Sequence, residues 1–386
     1  MGTETSHEPL ILPTKEDDDN TFGYIKKPSI LLKSTKWVLK IAMWLIFISW
    51  ASFLVLLPSG PVNKLYTKFV TATDGTLFGV TGSIFLIYSG PVIIIAFLAI
   101  IYLKITDEEE IQEKKKKTAS FRLWTFPVII DGPFGVVTAA ELIGIVLFGV
   151  YIIWAVTAYT ITNISLLPLF EVTDAGERNV ILLELTGLRF GFIGLICLAF
   201  LFLPVARGSV LLRLIDIPFE HAARYHVWLG HLTMLLFTLH GLCYVIGWAI
   251  QGRLIQELIA WKSIGIANLP GVITLLAGLL MWVTSLPPVQ RIKFELFFYT
   301  HQLYVIFVVF LAMHVGDFIF SIVAAGIFLF MLDRFLRFFQ SRKIVDILSV
   351  KCLPSGTVEL VISKPAGLRY NALGWVFIQI RESSWF

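Results

Sequence analysis

Histidine is the residue type in this chain whose position and spacing most clearly suggest chemistry. The 386-residue sequence contains seven histidines. Five of them lie in or at the edge of two strongly apolar segments: His226, His231, His240, His301 and His314. An ionisable side chain inside such a segment is energetically costly, so each of these is a candidate functional group. Four form two sets of similar spacing, because His226 and His240 are 14 residues apart and His301 and His314 are 13 residues apart.

This spacing suits two pairs of facing ligands. At a helical rise of about 1.5 Å per residue, the two sets span roughly 21 and 19.5 Å along their helices. If the helices run in the same direction, His226 lies level with His301, and His240 lies level with His314. A planar macrocycle held by two axial imidazoles requires such a pair. The sequence therefore predicts two stacked hemes that carry electrons across an insulating layer, with these four histidines as iron ligands.

Two details leave alternatives open. At about 100° per residue, fourteen residues return to within roughly 40° of the starting face, whereas thirteen miss it by roughly 140°. Either the helix with His301 and His314 changes its winding, or its two ligands approach from different flanks. The alternative for all four is a set of scattered histidines that bond to neighbouring helices. His231 lies off the ligand face, which favours a satisfied polar residue over a proton-handling group.

Four basic residues are candidates for binding anions. Arg189 lies near the middle of an apolar segment, where a guanidinium needs an anionic partner. A heme propionate suits it through bidentate geometry, and Glu184, five residues earlier, is the rival partner. Arg224 is a second candidate for binding a propionate. The alternative is that its charge only contributes to the orientation of the helices in the membrane. Arg253 and Lys262 are candidates for attracting an anionic substrate on the opposite side.

The composition places these groups in a membrane. Hydrophobic residues make up 57% of the chain and charged residues 15%, against about 45–50% and about 25% in soluble domains. The same figures exclude a disordered protein. The net charge is only +4, with Lys and Arg in loops rather than on one basic face, which argues against nucleic acid as a partner. Three well-separated cysteines exclude a disulfide framework and a thiolate zinc site.

Eight apolar segments are predicted to cross the membrane, since a spanning helix needs roughly 20 mostly apolar residues. They cover approximately residues 37–57, 77–103, 135–160, 180–206, 225–249, 269–286, 297–316 and 318–332. Gly90-Pro91 predicts a kink in the second segment. Lys and Arg in alternate connections total 16 on one side and 5 on the other. Both termini are therefore predicted to be cytoplasmic, and the two histidine helices to run parallel.

The segments around these residues resemble a known family. Three segments resemble the ferric reductase transmembrane domain of plant ferric-chelate reductases, also called ferric reduction oxidases. They are RYHVWLGHLTMLLFTLHGLCYVIGW (224–248), FFYTHQLYVIFVVFLAMHVGD (297–317) and ELTGLRFG (184–191). The resemblance covers roughly residues 35–386. It implies an all-α polytopic membrane fold with a six-helix core, formed by spans three to eight. It also implies two b-type hemes ligated by the four histidines, a layout shared with NADPH oxidases.

The resemblance also implies soluble donor domains. The family continues into a flavin-binding β-barrel and a nicotinamide-binding domain, and LPSGTVELVISKPAGLRYNALGWVFIQIRESSWF (353–386) resembles the first strands of the barrel. A flavin motif of the His-Pro-Phe-Ser/Thr type and a glycine-rich nucleotide fingerprint do not occur in this sequence. FAD and NADPH are therefore expected for the family and in doubt for this chain, which we interpret as C-terminally truncated.

The chain divides into four predicted regions. They are a disordered cytoplasmic tail (1–36), two extra helices with a basic loop (37–134), the six-helix core (135–338) and an incomplete flavin β-barrel (339–386). The last region contains three strand-type runs, at Val345–Leu353, Thr357–Ser363 and Trp375–Ile380. Three strands are too few to close a barrel or bury an independent core.

These features together predict an oxidoreductase of the ferric-chelate reductase type. Electrons from cytoplasmic NADPH and FAD would pass through an inner and an outer heme to an Fe(III)-chelate, for iron uptake or homeostasis. The expected location is the plasma membrane, with the plastid envelope as the alternative. Transfer to O₂, as in NADPH oxidases, and a non-redox transporter with proton-relaying histidines remain the rival functions. A chain that carries heme but does not turn over alone is a further alternative.

Overall fold

The computed structural model describes residues 30–112, 126–130, 135–170, 174–215, 217, 219–261, 266–340, 342 and 344–364. Most of these residues are helical, and the predicted all-α membrane fold is confirmed. The helices are α1 (Ile30–Leu56), α2 (Gly60–Ala72), α3 (Gly79–Tyr88), α4 (Gly90–Gln112), α5 (Ala139–Leu166), α6 (Ala175–Leu201), α7 (Val210–Leu214), α8 (Phe219–Ile250), α9 (Leu254–Leu258), α10 (Asn268–Thr284), α11 (Pro287–Ile292), α12 (Phe294–His301), α13 (Tyr304–Phe320) and α14 (Ala324–Gln340). The strands are β1 (Pro127–Ile129), β2 (Val137–Thr138), β3 (Ile347–Cys352) and β4 (Val358–Ile362).

A helix occupies each of the eight predicted spans, but not all are long and apolar enough to cross a membrane. Five stretches of the described residues meet both conditions: Leu32–Leu56, Ala139–Phe170, Ala175–Val205, Phe219–Ile250 and Phe294–Phe320. The bent pair α3–α4 makes a sixth if it is counted as one span. The sixth predicted span is α10, with 17 residues, and the eighth is α14, which carries Asp333, Arg334 and Arg337. The structure therefore supports five or six full spans.

The bend in the second predicted span is tied to another part of the bundle. α3 and α4 meet at 52°, next to Gly90-Pro91, as the sequence predicted. Ser89 at the bend is fully buried. Its hydroxyl donates to the Ser321 carbonyl (2.6 Å) and accepts the Ala325 N–H (3.0 Å). The bend is thereby fixed to the turn between α13 and α14.

Replacing Ser89 with alanine is expected to destabilise the bundle. The change leaves a buried N–H and a buried carbonyl without their partner, which costs about 1–3 kcal/mol. The midpoint of thermal unfolding in detergent, followed by tryptophan fluorescence, would measure the loss. Ser165→Ala is the matched control, because Ser165 is exposed and bonds only to the Thr162 carbonyl of its own helix. Equal shifts in the two variants would contradict a role for Ser89 in fixing the bend.

The centre of the fold is the close packing of α6 against α8. Three glycines of α6, Gly187, Gly191 and Gly194, lie against α8. A Cβ atom on Gly187 would lie 2.9 Å from Cys243 Cβ, and one on Gly194 would lie 2.6 Å from Phe237 Cε1. Such distances are below van der Waals contact, so the helices approach this closely only because side chains are missing there.

A β-hairpin follows the last helix. β3 and β4 pair in antiparallel fashion, and Gly356 with a φ of 79° forms the turn between them. Two of the three predicted strand runs are thus confirmed, whereas Trp375–Ile380 falls outside the described residues. Among the residues that are described, no barrel is closed. At the other end, α1 begins at Ile30, earlier than the predicted end of the polar tail at residue 36.

Candidate functional site

The four predicted histidines meet as two facing pairs. His226 and His240 lie on α8, His301 is the last residue of α12, and His314 lies on α13. The ring centres of His226 and His301 are 6.2 Å apart, with the ring planes at 75°. Those of His240 and His314 are 6.1 Å apart, with the ring planes at 66°. The pairs are the ones that the parallel arrangement of the two histidine helices predicted.

The separation within each pair fits one metal ion between two imidazoles. Two metal–nitrogen bonds of about 2 Å each, plus roughly 1 Å from each ring centre to its nitrogen, sum to about 6 Å. Two imidazoles on one axis leave the positions around that axis to other ligands. A heme fits this arrangement, because its macrocycle supplies the remaining ligands of the iron.

Hydrogen bonds on the Nδ1 side fix three of the four rings. In each case Nδ1 contacts a backbone carbonyl oxygen: His226 with Leu201 (3.0 Å), His240 with Gly187 (2.8 Å) and His314 with Ala267 (2.8 Å). A carbonyl can only accept, so the proton sits on Nδ1 and Nε2 keeps its free lone pair. Nε2 is then the nitrogen available to a metal ion, and the carbonyl holds the ring in orientation. The fourth ring, His301, has a longer contact with the Ser285 hydroxyl (3.4 Å).

Helix α6 supplies both acceptors for the histidines of α8. Gly187 and Leu201 are 14 residues apart, the same interval that separates His240 and His226. The Leu201 carbonyl is available because α6 ends there and the last carbonyls of a helix have no partner within it. Gly191 leaves room for the ring, since a Cβ there would lie 2.8 Å from His240 Nδ1.

The 13-residue interval between His301 and His314 is accommodated by a change of winding. α12 ends at His301 and α13 begins at Tyr304. The N–H of Gln302 bonds to the Tyr299 carbonyl, three residues back, at 3.1 Å. Such a turn has about 3.0 residues per turn and therefore rotates more per residue than an α-helix, which reduces the mismatch. This favours the first of the two alternatives, in which the helix changes its winding.

Comparison with known proteins agrees with the resemblance. A family profile described as "Ferric reductase like transmembrane component" matches residues 190–312, which include His226, His240 and His301. Ferric reduction oxidase 7, chloroplastic, of Arabidopsis thaliana is 61% identical over 356 residues, which are 92% of this chain and 48% of that protein. Over most of its length the chain is therefore similar to a plant ferric reduction oxidase.

Two further members of the ferric reduction oxidase family from Arabidopsis thaliana are similar over the same part. Ferric reduction oxidase 2 is 38% identical over 355 residues, 90% of this chain and 49% of that protein. Probable ferric reduction oxidase 1 is 37% identical over 354 residues, 90% of this chain and 50% of that protein. The chain spans about half the length of the relatives it matches.

His231 differs from the four histidines of the two facing pairs. Its Nδ1 accepts the Trp282 indole N–H at 2.7 Å, so the ring has the opposite tautomer. It also packs edge-on against Trp228, with ring centres 6.1 Å apart. The geometry supports the preferred interpretation of His231 as a satisfied polar residue.

The structure separates Arg189 from its rival partner. The Arg189 Nε donates to Asn163 Oδ1 (3.2 Å), and the guanidinium lies over the Tyr159 ring, 4.8 Å from its centre. Glu184 instead pairs with Arg253 at 2.9 Å. Neither Asn163 nor Tyr159 was identified from the sequence, because no local pattern links a residue to a partner more than 25 positions away. The propionate role of Arg189 stays a prediction.

The other three basic candidates have different outcomes. Arg253 makes ion pairs with Glu184 (2.9 Å) and Glu257 (2.8 Å), so two carboxylates neutralise its charge. This geometry argues against the predicted attraction of an anionic substrate by Arg253. Lys262 lies outside the described residues. Arg224 packs against Gly135, where an added Cβ would collide with its guanidinium, and it stays a propionate candidate.

Proposed function

We propose that this chain is the transmembrane electron-transfer unit of a ferric-chelate reductase. Electrons would pass through two b-type hemes to an Fe(III)-chelate on the far side of the membrane, in the service of iron uptake or homeostasis. The observation that carries the proposal is the presence of two pairs of facing imidazole rings, with about 6 Å between the two ring centres of each pair. The names of the three relatives, all ferric reduction oxidases, support the choice of acceptor.

Each residue of the site has a defined part in this proposal. Heme, when bound, supplies a one-electron carrier whose potential depends on its axial ligands and surroundings. The four histidines would hold and orient it through Nε2. For His226, His240 and His314, the carbonyl partner keeps Nδ1 protonated and so leaves the lone pair on Nε2. Arg189 and Arg224 are the candidates for neutralising the propionates.

Donor and sidedness follow from the family and from the charge distribution. The side of His226 and His301 has the greater number of Lys and Arg residues, which supports a cytoplasmic or equivalent location for both termini. FAD and NADPH are the donors that the family implies, but the motifs expected to bind them do not occur in these 386 residues. The proposal therefore assigns to this chain the heme-to-heme step and the transfer to the acceptor.

The plastid envelope is the membrane that we propose. The relative at 61% identity is named as chloroplastic, and it is much more similar to this chain than ferric reduction oxidase 3 of Arabidopsis thaliana, which is named as mitochondrial and is 37% identical. This supports the envelope over the plasma membrane, which the sequence alone had favoured.

Chemically reduced protein is expected to be reoxidised by an Fe(III)-chelate. The purified chain would be loaded with heme, reduced anaerobically with dithionite, freed of excess reductant and mixed with Fe(III)-EDTA. We expect both hemes to return to the ferric state, with one Fe(II) released per heme and captured by a colorimetric chelator. Hemes that are reoxidised by O₂ but not by Fe(III)-EDTA would instead indicate the superoxide-forming alternative. A folded protein that binds no heme would favour the transporter.

A further inference from the structure

A polar network closes the bundle next to His240 and His314. Arg253, which follows α8, donates to Glu184 of α6 through Nη2 (2.9 Å) and to Glu257 of α9 through Nη1 (2.8 Å). The second oxygen of Glu257 accepts from Asn268 Nδ2, at the start of α10 (3.0 Å). We call these four residues the outer clamp. It joins α6, α9, α10 and the end of α8.

One end of the outer clamp is attached to the helix that orients His240. Glu184 precedes Gly187 by three residues, which is about one turn of α6. The Gly187 carbonyl accepts the Nδ1–H of His240 (2.8 Å). The Glu184 side chain packs against α8 at Gly247, where a Cβ would be in ordinary contact with its Cγ at 3.4 Å. A bond that holds Glu184 therefore also fixes the position of the Gly187 carbonyl relative to α8.

The other end of the outer clamp is attached to the segment that orients His314. Asn268 directly follows Ala267, whose carbonyl accepts from His314 Nδ1 (2.8 Å) and whose N–H donates to the His314 carbonyl (3.3 Å). In addition, the Leu269 N–H bonds to the Ala260 carbonyl (3.1 Å), which ties the start of α10 to the segment after α9. The Ala267 carbonyl is thus held between α13 and the outer clamp.

The central residue of the outer clamp is suited to join two carboxylates. A guanidinium presents several N–H groups in a rigid fork, whereas an ammonium is a compact point charge. The side chains of Arg253, Glu184 and Glu257 are 37%, 26% and 18% exposed, so the ion pairs are partly shielded from solvent. Charge-assisted hydrogen bonds in such a position are stronger than those of fully exposed pairs.

We propose that the outer clamp positions both histidines of the outer pair, by holding the two backbone carbonyls that orient their rings. This rests on the proposed function, in which His240 and His314 bind the outer heme. Arg253, Glu184, Glu257 and Asn268 are positioning residues, because they act on the iron ligands through Gly187 and Ala267. The inner pair, His226 and His301, is oriented by the Leu201 carbonyl and the Ser285 hydroxyl and does not depend on the clamp.

Arg253→Met in the heme-loaded chain tests the proposal. We expect the low-spin ferric EPR signal of one heme to shift and broaden while the other is unchanged. Transfer of that heme to an apoprotein scavenger should be faster by about tenfold, the lower end of the effect of losing a partner of a metal ligand. Arg253→Lys should give an intermediate result, because it restores the charge but not the fork. His240→Ala identifies which signal belongs to the outer heme.

Arg178→Met is the matched control, since Arg178 is an exposed arginine near the start of α6, on the same side as the clamp. It should leave both EPR signals unchanged. Unchanged signals in Arg253→Met, or equal disturbance of both hemes, would overturn the outer clamp. A wild-type chain that binds no heme would instead overturn the proposed function, so the two failures are distinguishable.

Discussion

Alanine in place of His240 is expected to lower the heme content from two per chain to one. The substitution removes one axial ligand of the outer heme, and His314 alone leaves the iron with an open position. The remaining heme, between His226 and His301, should keep its low-spin spectrum, because its ring centres lie in a separate pair. Heme content per chain and the reduced-minus-oxidised spectrum measure the result.

The pairing also predicts which of the four single histidine variants lose the same heme. His314→Ala should remove the same heme as His240→Ala, and the double variant should be no worse than either single one, because the two residues act as a unit. His226→Ala and His301→Ala should remove the other heme. His231→Leu is the matched control and should retain both, since its Nδ1 is occupied by Trp282. Loss of heme in His231→Leu comparable to the others would contradict the assignment.

Alanine in place of Gly191 is expected to displace the outer heme although no iron ligand is substituted. The added Cβ would lie 2.8 Å from His240 Nδ1, so the ring must move out of its position. Gly271→Ala should act on the same heme from the opposite side, with its Cβ 2.6 Å from His314 Nδ1. We expect the low-spin signal of the outer heme to be lost in both variants, while the inner signal is retained.

The control for these variants is a glycine-to-alanine substitution at a position where the added Cβ meets no neighbour. Glycine in a helix interior is less favourable than alanine by about 1 kcal/mol, so a glycine without close neighbours should tolerate alanine well. Gly149 of α5 has no atom within 4 Å of an added Cβ. Gly149→Ala should therefore retain both hemes, with equal or higher thermal stability. Full heme retention in Gly191→Ala would show that the ring is not confined as the structure indicates.

Spacing along the sequence was sufficient to predict the histidine pairs, because depth in a membrane follows directly from residue number in parallel helices. The bend at Gly90-Pro91 and the hairpin around Gly356 were predictable for a similar reason, since both depend on local backbone chemistry. His231 could be set apart only by its angular position. Its bond to Trp282, which is 51 residues away in the sequence, depends on the packing of one helix against another.

The partners of the charged residues could not be predicted. Glu184 and Arg253 are separated by 69 residues, and nothing local to either indicates the other. The two ion pairs of Arg253 were missed for this reason, because a basic residue in a loop resembles an unpaired charge until its carboxylates are located. The number of full spans was also overestimated, since apolar composition does not reveal where turns shorten a helix, as in α10.

The matched 14-residue intervals of α6 and α8 have a consequence for how this part of the chain can vary. A single residue inserted between Gly187 and Leu201 would rotate one acceptor carbonyl by about 100° and move it by about 1.5 Å relative to the other. Only one of the two α8 histidines could then keep its partner. Side chains on the lipid-facing side of α6 are free to change, but its length between these two points is not. Insertions and deletions should therefore be confined to the loops on either side.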